Sequence, residues 1–387
     1  MLLHVSIIAR DDAGMTRTVT RDWVIRRRLA TQRLSSAPLP HAADAVRLLT
    51  CVQSQDAPLA AHSLAMRTRN IGYAGVLAEQ SAGGWVRTHI LRPTWHHVAP
   101  EDLRWIQGLT GPKVEGAMPA RHQMLGITPE FKERGPELLR ELLAGGKAMT
   151  RKEIGPEFAA AGLPGPGEPM AHQLIVAEVR AVICSGPPRG TEHTYVLVDD
   201  VIPAAESDTW SRERSLVELT HRFYAGHGPA SERDLQRWSG LTLTEIRSAT
   251  AELTTSTTLQ STHPLESVEC QGETLWFDPS VTARTSRAHT AYLLSTFDEA
   301  ALTYPSTGFS RRNHDANRTR LVSEAGGGIV VVDGHDIGTF KRKAEAKQTT
   351  VTIRPDDDLT SAERGGVVEA AEFLAAFHGP PLNLVFA

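Results

Sequence analysis

Cysteine is scarce in this 387-residue chain: Cys51, Cys184 and Cys270 are odd in number, far apart and in no C-x-x-C pair. They offer neither a disulfide framework nor a zinc cluster, and a reducing cytosol suits them best. No run approaches the roughly 20 apolar residues that a membrane-crossing helix needs. The opening MLLHVSIIAR is apolar but has no basic start and no small-residue cleavage site, so it does not read as a secretory signal. An excess of positive charge is missing too, with 41 Lys plus Arg against 45 Asp plus Glu. That excludes histone-like bulk attraction, and any nucleic-acid surface must be a local patch. The glycine run 326–328 is followed by no Lys-Ser or Lys-Thr, which excludes a phosphate loop there. His89, His96 and His97 lie close together and His221 lies near His227, but no H-E-x-x-H or matching Cys/His spacing accompanies them. Neighbouring strand residues alternate faces, so His96 and His97 are not expected to point inward together. Neither a metal nor another cofactor is expected.

What is present is a repeating order of elements. DWVIRRRLATQRL has apolar residues at helical spacing with a basic stripe of Arg26, Arg27, Arg28 and Arg33. Helical stretches follow in HAADAVRLLTCV, APLAAHSLAMRTR and GYAGVLAEQSAGG, and then the β-rich GWVRTHILRPTWHHV. The order recurs in the helix ERGPELLRELLAGG, the short helix TRKEIGPEFAAAGL opened by Thr150, the longer helix EPMAHQLIVAEVRAVICSG and the strand GTEHTYVLVDD. It returns from ERSLVELTHRFYAGHG to GETLWF, where Ser231 is the expected N-cap and Gly240 the turn before a candidate recognition helix. Helix, tight turn, helix and β structure is the helix-turn-helix with a wing. From about residue 283 the pattern becomes mostly β. GGGIVVVDGHDIGTFKRK reads as a hairpin turning at Asp333-Gly334, TTVTIRP as a further strand, and TSAERGGVVEAAEFLAAFHG as a closing helix.

The expected fold is therefore α+β, with three tandem winged helix-turn-helix units and a mostly β C-terminal domain. The expected boundaries are an N-terminal extension 1–18, units at 19–110, 111–205 and 206–282, and the last domain at 283–387. Met15 precedes the patterned sequence, so residues 1–14 are expected to be dispensable.

The densest group of unusual residues is Gln53-Ser54-Gln55-Asp56, between two helices of the first unit. An amide does not titrate in the working range, but it accepts and donates hydrogen bonds at once and can hold a water in line for attack. Polar residues that merely cap a helix are the alternative, and Asp56 stands where the cap of the helix from Ala57 belongs.

VQSQDAPLAAHSLAMRTR, THILRPTWHHVAPEDLRWI, FYAGHGPASERDLQRWSGLT, LLSTFDEAAL and VVVDGHDIGTFKRK together resemble successive blocks of the AlkZ-like family of DNA glycosylases. The resemblance runs from about Asp22 to the end. It implies three winged helices and a β domain around a basic concave surface that takes duplex DNA, with a β-hairpin inside the cleft. It also implies that Gln53 and Gln55 serve hydrolysis of the N-glycosidic bond of alkylated purines, bulky or crosslinked N7-alkylguanine among them, in base-excision repair. The residue between the glutamines is usually aliphatic in that family, and here it is Ser54. No lysine stands beside the motif to form a Schiff base, so a monofunctional enzyme is expected.

Candidate DNA contacts are Arg87, His89 and Arg92 on the first wing, Arg311, Arg312, Arg318 and Arg320 in FSRRNHDANRTR, and Lys341, Arg342 and Lys343 on the hairpin. Trp95 and Trp105 read as core residues. A monomeric, cytoplasmic protein acting on duplex DNA is expected. The rival reading is a non-enzymatic regulator. The candidate recognition helices carry few of the Arg, Asn or Gln residues that read base edges, which counts against it.

Overall fold

A computed structural model describes residues 17–189, 192–255, 263–282, 291–304, 308–311, 326–379 and 381–387. Among these, no helix is long and apolar enough to cross a membrane. One element order, helix–strand–helix–helix–strand–strand, occurs three times.

In the first unit it runs through helix Ala42–Leu49, strand Cys51–Gln53, helices Ala57–Ala65 and Tyr73–Ser81, and strands Val86–His89 and Trp95–Val98. Its last strand lies in the middle of the three. The second unit repeats this with helix Pro129–Leu143, strand Met149–Thr150, helices Arg151–Ala160 and Glu168–Val179, and strands Ile183–Ser185 and Thr194–Leu197. In the third, helix Arg212–His227 leads to helices Glu232–Ser239 and Leu243–Thr255 and the hairpin Glu266–Cys270 and Glu273–Phe277. Its first strand shrinks to one bridge between Ala230 and Trp276, while Arg17–Thr18 joins the opposite edge beside Glu266–Cys270. The units are the winged helices expected from the sequence.

Local chemistry sets the ends of these helices. The side chains of Asp56, Thr150 and Ser231 each accept a backbone N–H of the first turn. Gly240 ends Glu232–Ser239 at φ 73°, a conformation that favours glycine.

The units share one core. Leu103, Trp105 and Ile106 of helix Leu103–Gly116 pack with Ile90 from the first unit, Cys184 from the second and Phe223 and Trp238 from the third. The expected boundary between residues 110 and 111 therefore falls inside a continuous helix. Helix Arg212–His227 meets helix Ala42–Leu49 so closely that a Cβ on Gly226 would lie 2.2 Å from the Leu48 carbonyl oxygen. Gly226→Ala is accordingly expected to destabilise the protein by about 1–3 kcal/mol, since backbone atoms cannot move aside cheaply. Gly108→Ala, at an exposed helical site with nothing within 4 Å of the added carbon, is the control and should leave stability equal or slightly higher. Urea unfolding of the two variants checks the contrast.

Two sequence expectations are corrected here. Helix Arg21–Thr31 does not belong to the first unit. Its Val24 packs with Val268, Leu275 and Phe277 of the third wing, while Ile25 and Leu29 pack with Tyr292, Leu294 and Val331 of the C-terminal sheet. It is a splint between two distant parts of the chain, and the first unit proper begins at Ala42. Likewise, EPMAHQLIVAEVRAVICSG is not one helix: it stops at Val179, Ala181 adopts φ 55°, and Ile183–Ser185 is a strand.

The C-terminal sheet runs in the order Ala291–Ser295, Gly327–Val332, His335–Ala344, Thr349–Pro355, Leu382–Phe386. Asp333 and Gly334 turn the hairpin at φ 51° and 82°, the left-handed pair that an Asp-Gly turn needs. Helix Ser361–His378 crosses one face, with Val367, Ala371 and Leu374 against Val330, Phe340 and Val351, and delivers the last strand parallel to Thr349–Pro355.

Candidate active site

Strand Cys51–Gln53 pairs antiparallel with Trp95–Val98, with Gln53 opposite His96. The pairing is prolonged past the strand: Ser54 N–H donates to the Trp95 carbonyl at 2.7 Å, and Trp95 N–H donates to Gln55 Oε1 at 3.2 Å. The chain then turns into helix Ala57–Ala65. Asp56 caps it, its Oδ1 accepting Leu59 N–H at 3.1 Å, and its Oδ2 accepts Gly326 N–H at 2.9 Å. Both Asp56 oxygens thus hold backbone, as a cap and a clasp. Gly326 in turn accepts Arg342 N–H at 2.8 Å. The base of the long hairpin is therefore fastened to the end of the glutamine motif.

The two glutamines sit differently. Gln53 is buried at 5% exposure and Gln55 is exposed. Arg92 Nη2 donates to Gln53 Oε1 at 2.6 Å. Since Arg92 and Trp95 N–H are donors, they fix which end of each amide is oxygen. Among the described residues each amide nitrogen, and a second lone pair on each oxygen, is left for another partner.

Beneath Gln53 lies a carboxylate that the sequence reading did not single out. Glu299 is fully buried; its Oε1 accepts Gln53 N–H at 3.0 Å and its Oε2 accepts Trp238 Nε1–H at 3.0 Å. Thr303 Oγ1 donates to Oε2 at 3.3 Å, and His227 Nε2 lies 3.4 Å away. The neighbouring Asp298 is also fully buried and takes a forked pair of bonds from Arg67 at 2.9 Å each. The available signal was Asp-Glu opening a short helical stretch, Glu299–Leu302, where Asp298 is the N-cap.

The candidate cations divide. Arg87 Nη2 donates to the Ser54 carbonyl at 2.9 Å and its Nε approaches Ser54 Oγ at 3.3 Å, with the guanidinium 4.2 Å from the Trp95 ring centre. Burial pushes the pKa of Arg87 down, against the pull of Glu178. Ser54 is fully buried, so its hydroxyl satisfies a charged neighbour where an aliphatic side chain would only pack. Arg92 points inward to Gln53. His89 is corrected outright as a DNA contact: it is buried, with Nδ1 2.6 Å from Glu178 of the second unit.

His96 and His97 are both buried as well. The pleat does send them to opposite faces, but both faces of this sheet are covered. His97 packs on Trp85, and His96 Nδ1 lies 2.8 Å from the Thr94 carbonyl oxygen. Among the described residues no group of His, Cys, Asp and Glu is arranged to hold a metal. Trp105 is core and Trp95 half-buried.

Lys341 and Lys343 are exposed on strand His335–Ala344, and Lys343 pairs with Glu345 at 2.7 Å. Arg342 is half-buried, and burial pushes its pKa down against the pull of Asp56. Arg311 lies on the short strand Ser310–Arg311 beside His335 and Asp336. Arg312, Arg318 and Arg320 lie outside the described residues.

Comparison with known proteins bears on what this geometry serves. The solved structure of the Streptomyces sahachiroi DNA glycosylase AlkZ superposes with a TM-score of 0.73 at 21% identity, covering 95% of this chain and 100% of that one. No curated protein sequence matches significantly. The family model described as DNA glycosylase AlkZ-like matches residues 46–377, a span that holds both glutamines, Arg92 and Glu299. The chain belongs to the AlkZ-like family of DNA glycosylases.

Proposed function

We propose that this glycosylase hydrolyses the N-glycosidic bond of N-alkylated purines in duplex DNA, bulky or crosslinked N7-alkylguanine included, and that Gln53 and Gln55 hold the attacking water. The observation that carries the reading is the anchoring of the two amides by their oxygens, one on Arg92 and one on the Trp95 backbone. Such an amide presents a fixed donor and one remaining lone pair, enough to orient a water without deprotonating it.

Alkylation at N7 gives the purine a positive charge, so the base departs with the electrons of the C1′–N9 bond and needs no proton from the enzyme. The water oxygen bonds to C1′ and its surplus proton passes to solvent. What the protein must supply is position, and DNA phosphates supply negative charge beside the oxocarbenium-like sugar. The first lysine of the chain is Lys113, so no amine stands in the motif, and cleavage of the strand is not expected. We further propose that the protein acts as a cytoplasmic monomer, with Lys341 and Lys343 of the hairpin among its phosphate contacts.

The test is duplex DNA carrying a defined N7-alkylguanine, incubated with the protein and then with hot alkali to reveal abasic sites. Gln53→Ala and Gln55→Ala are each expected to slow single-turnover excision by about 100-fold, the scale of a misplaced reactant, while leaving DNA affinity intact. Failure of the wild-type protein on methyl, bulky and crosslinked lesions alike, with binding retained, would sink the substrate assignment.

A further inference from the structure

Gln53 is gripped from two sides. Its backbone N–H is held by Glu299, and its side-chain oxygen by Arg92. Glu299 cannot turn away, because the Trp238 indole and the Thr303 hydroxyl both donate to its other oxygen. Arg92 is similarly committed: Nη2 reaches Gln53 and Nη1 the Arg237 carbonyl at 3.3 Å. The two charges make no direct ion pair. Gln53 stands between them, main chain to the carboxylate and side chain to the guanidinium. His227 Nε2 lies 3.4 Å from the carboxylate, and the Arg92 guanidinium stands on the far side of the residue that both Arg92 and Glu299 hold.

We propose that Arg92 and Glu299 form a clamp that fixes the orientation of Gln53, which makes them positioning residues of this site and removes Arg92 from the set of phosphate ligands. The inference rests on Gln53 being catalytic, as proposed above. It also excludes Glu299 as a general base: both its oxygens accept donors from the protein, and it is fully buried. The geometry gives the clamp a second consequence. Trp238 belongs to the third winged helix, Glu299 to the C-terminal domain and Gln53 to the first, so the motif is set only when the three parts are assembled.

The experiment compares Arg92→Met, Arg92→Lys, Gln53→Ala and the double variant Gln53→Ala/Arg92→Met in single-turnover excision of N7-alkylguanine and in duplex affinity across salt. The clamp predicts that Arg92→Met slows excision by about 100-fold. It also predicts that Arg92→Met leaves the salt slope of binding unchanged, and that it adds nothing in the Gln53→Ala background. Arg92→Lys should excise as poorly as Arg92→Met, because an ammonium lacks the forked reach of the guanidinium. A salt slope lowered by about one, with rescue by lysine and additive losses, would make Arg92 a phosphate ligand and overturn the clamp.

Wild-type excision by Gln53→Ala would instead overturn the catalytic reading of Gln53. The clamp is then decided by the NMR order parameter of the Gln53 side-chain amide, assigned by its loss in Gln53→Ala. A fall in Arg92→Met supports the clamp, and no change overturns it.

Discussion

Replacing Arg67 with alanine is expected to destabilise the protein by about 3–5 kcal/mol, the usual cost of removing one partner of a buried ion pair. Arg67 and Asp298 are both fully buried. The guanidinium holds both Asp298 oxygens at 2.9 Å, the Ser63 carbonyl at 2.8 Å and hydroxyl at 2.9 Å, and Gln32 Oε1 at 3.0 Å. Gln32 then donates to the Tyr304 hydroxyl, which donates to the His227 carbonyl. One side chain thus links the first winged helix, the splint helix, the third winged helix and the C-terminal domain.

Without Arg67, Asp298 would be a charge in the core with only a hydroxyl and a backbone amide left to it. Burial pushes the Asp298 carboxyl up, but the charge and hydrogen bonds of Arg67 more than offset this and hold it below the ordinary aspartate range. Its stabilising effect is therefore present above the unfolded value of about 3.9 and is lost only as the pH falls through the lower folded value. Urea unfolding at neutral pH measures the loss. The paired variant Arg67→Met/Asp298→Leu should lose less than the two single changes together, by about 0.5–3 kcal/mol. Strict additivity would mean that the two residues do not act as a pair.

The repeating units were legible because each is set by local chemistry: a capping oxygen at Asp56, Thr150 or Ser231, a left-handed glycine at 240, an Asp-Gly turn at 333–334. The partners of the charged residues were not legible, because they lie far away in the chain. Arg27 and Arg28 read as part of a basic stripe. Yet Arg27 covers the Phe277 ring at 4.4 Å, and Arg28 is buried over Tyr304 at 3.7 Å, with Nε on the Pro229 carbonyl. Nothing local to DWVIRRRLA distinguishes such an arginine from one facing solvent. The same holds at the site. Arg87, His89 and Arg92 occupy a wing, which suggests contact with DNA, but this wing is enclosed by the second and third units. Its polar residues consequently face Glu178, Ser54 and Gln53. Glu299 escaped notice for a related reason, since its partners Gln53 and Trp238 are 246 and 61 residues distant.

Stability is expected to fall steeply between pH 7 and pH 5, and the buried histidines are the cause. Burial pushes His62 down to about 3, helped by the nearby His378, and pushes His97 down to about 3, helped by Arg87. His96 is lowered well below the ordinary histidine value, again first by burial. His62 lies among the rings of Phe373 and Phe377, and among the described residues neither His62 Nε2 nor His97 Nδ1 has a hydrogen-bond partner to stabilise a charge.

A group whose folded pKa is depressed takes up its proton in the unfolded chain first. Its contribution is complete above the unfolded value of about 6.5 and drains away as the pH falls toward the folded value. At pH 5, His62 and His97 should each have lost about 2 kcal/mol, a large share of the roughly 5–15 kcal/mol that holds a typical protein folded. Asp298 does not confound this window, because its carboxyl is held below the ordinary range, whereas burial raises Asp102, Glu178 and Asp234, which work against the fall.

Unfolding at pH 5 should therefore take up about one proton for each such histidine, measurable by calorimetry in buffers of different ionisation enthalpy. His62→Leu should remove about one of those protons and flatten the dependence of the urea midpoint on pH. A midpoint that does not move between pH 7 and pH 5 would mean that these imidazoles reach water in the folded protein, and that the close packing of helix Ala57–Ala65 against helix Ser361–His378 is opened in solution.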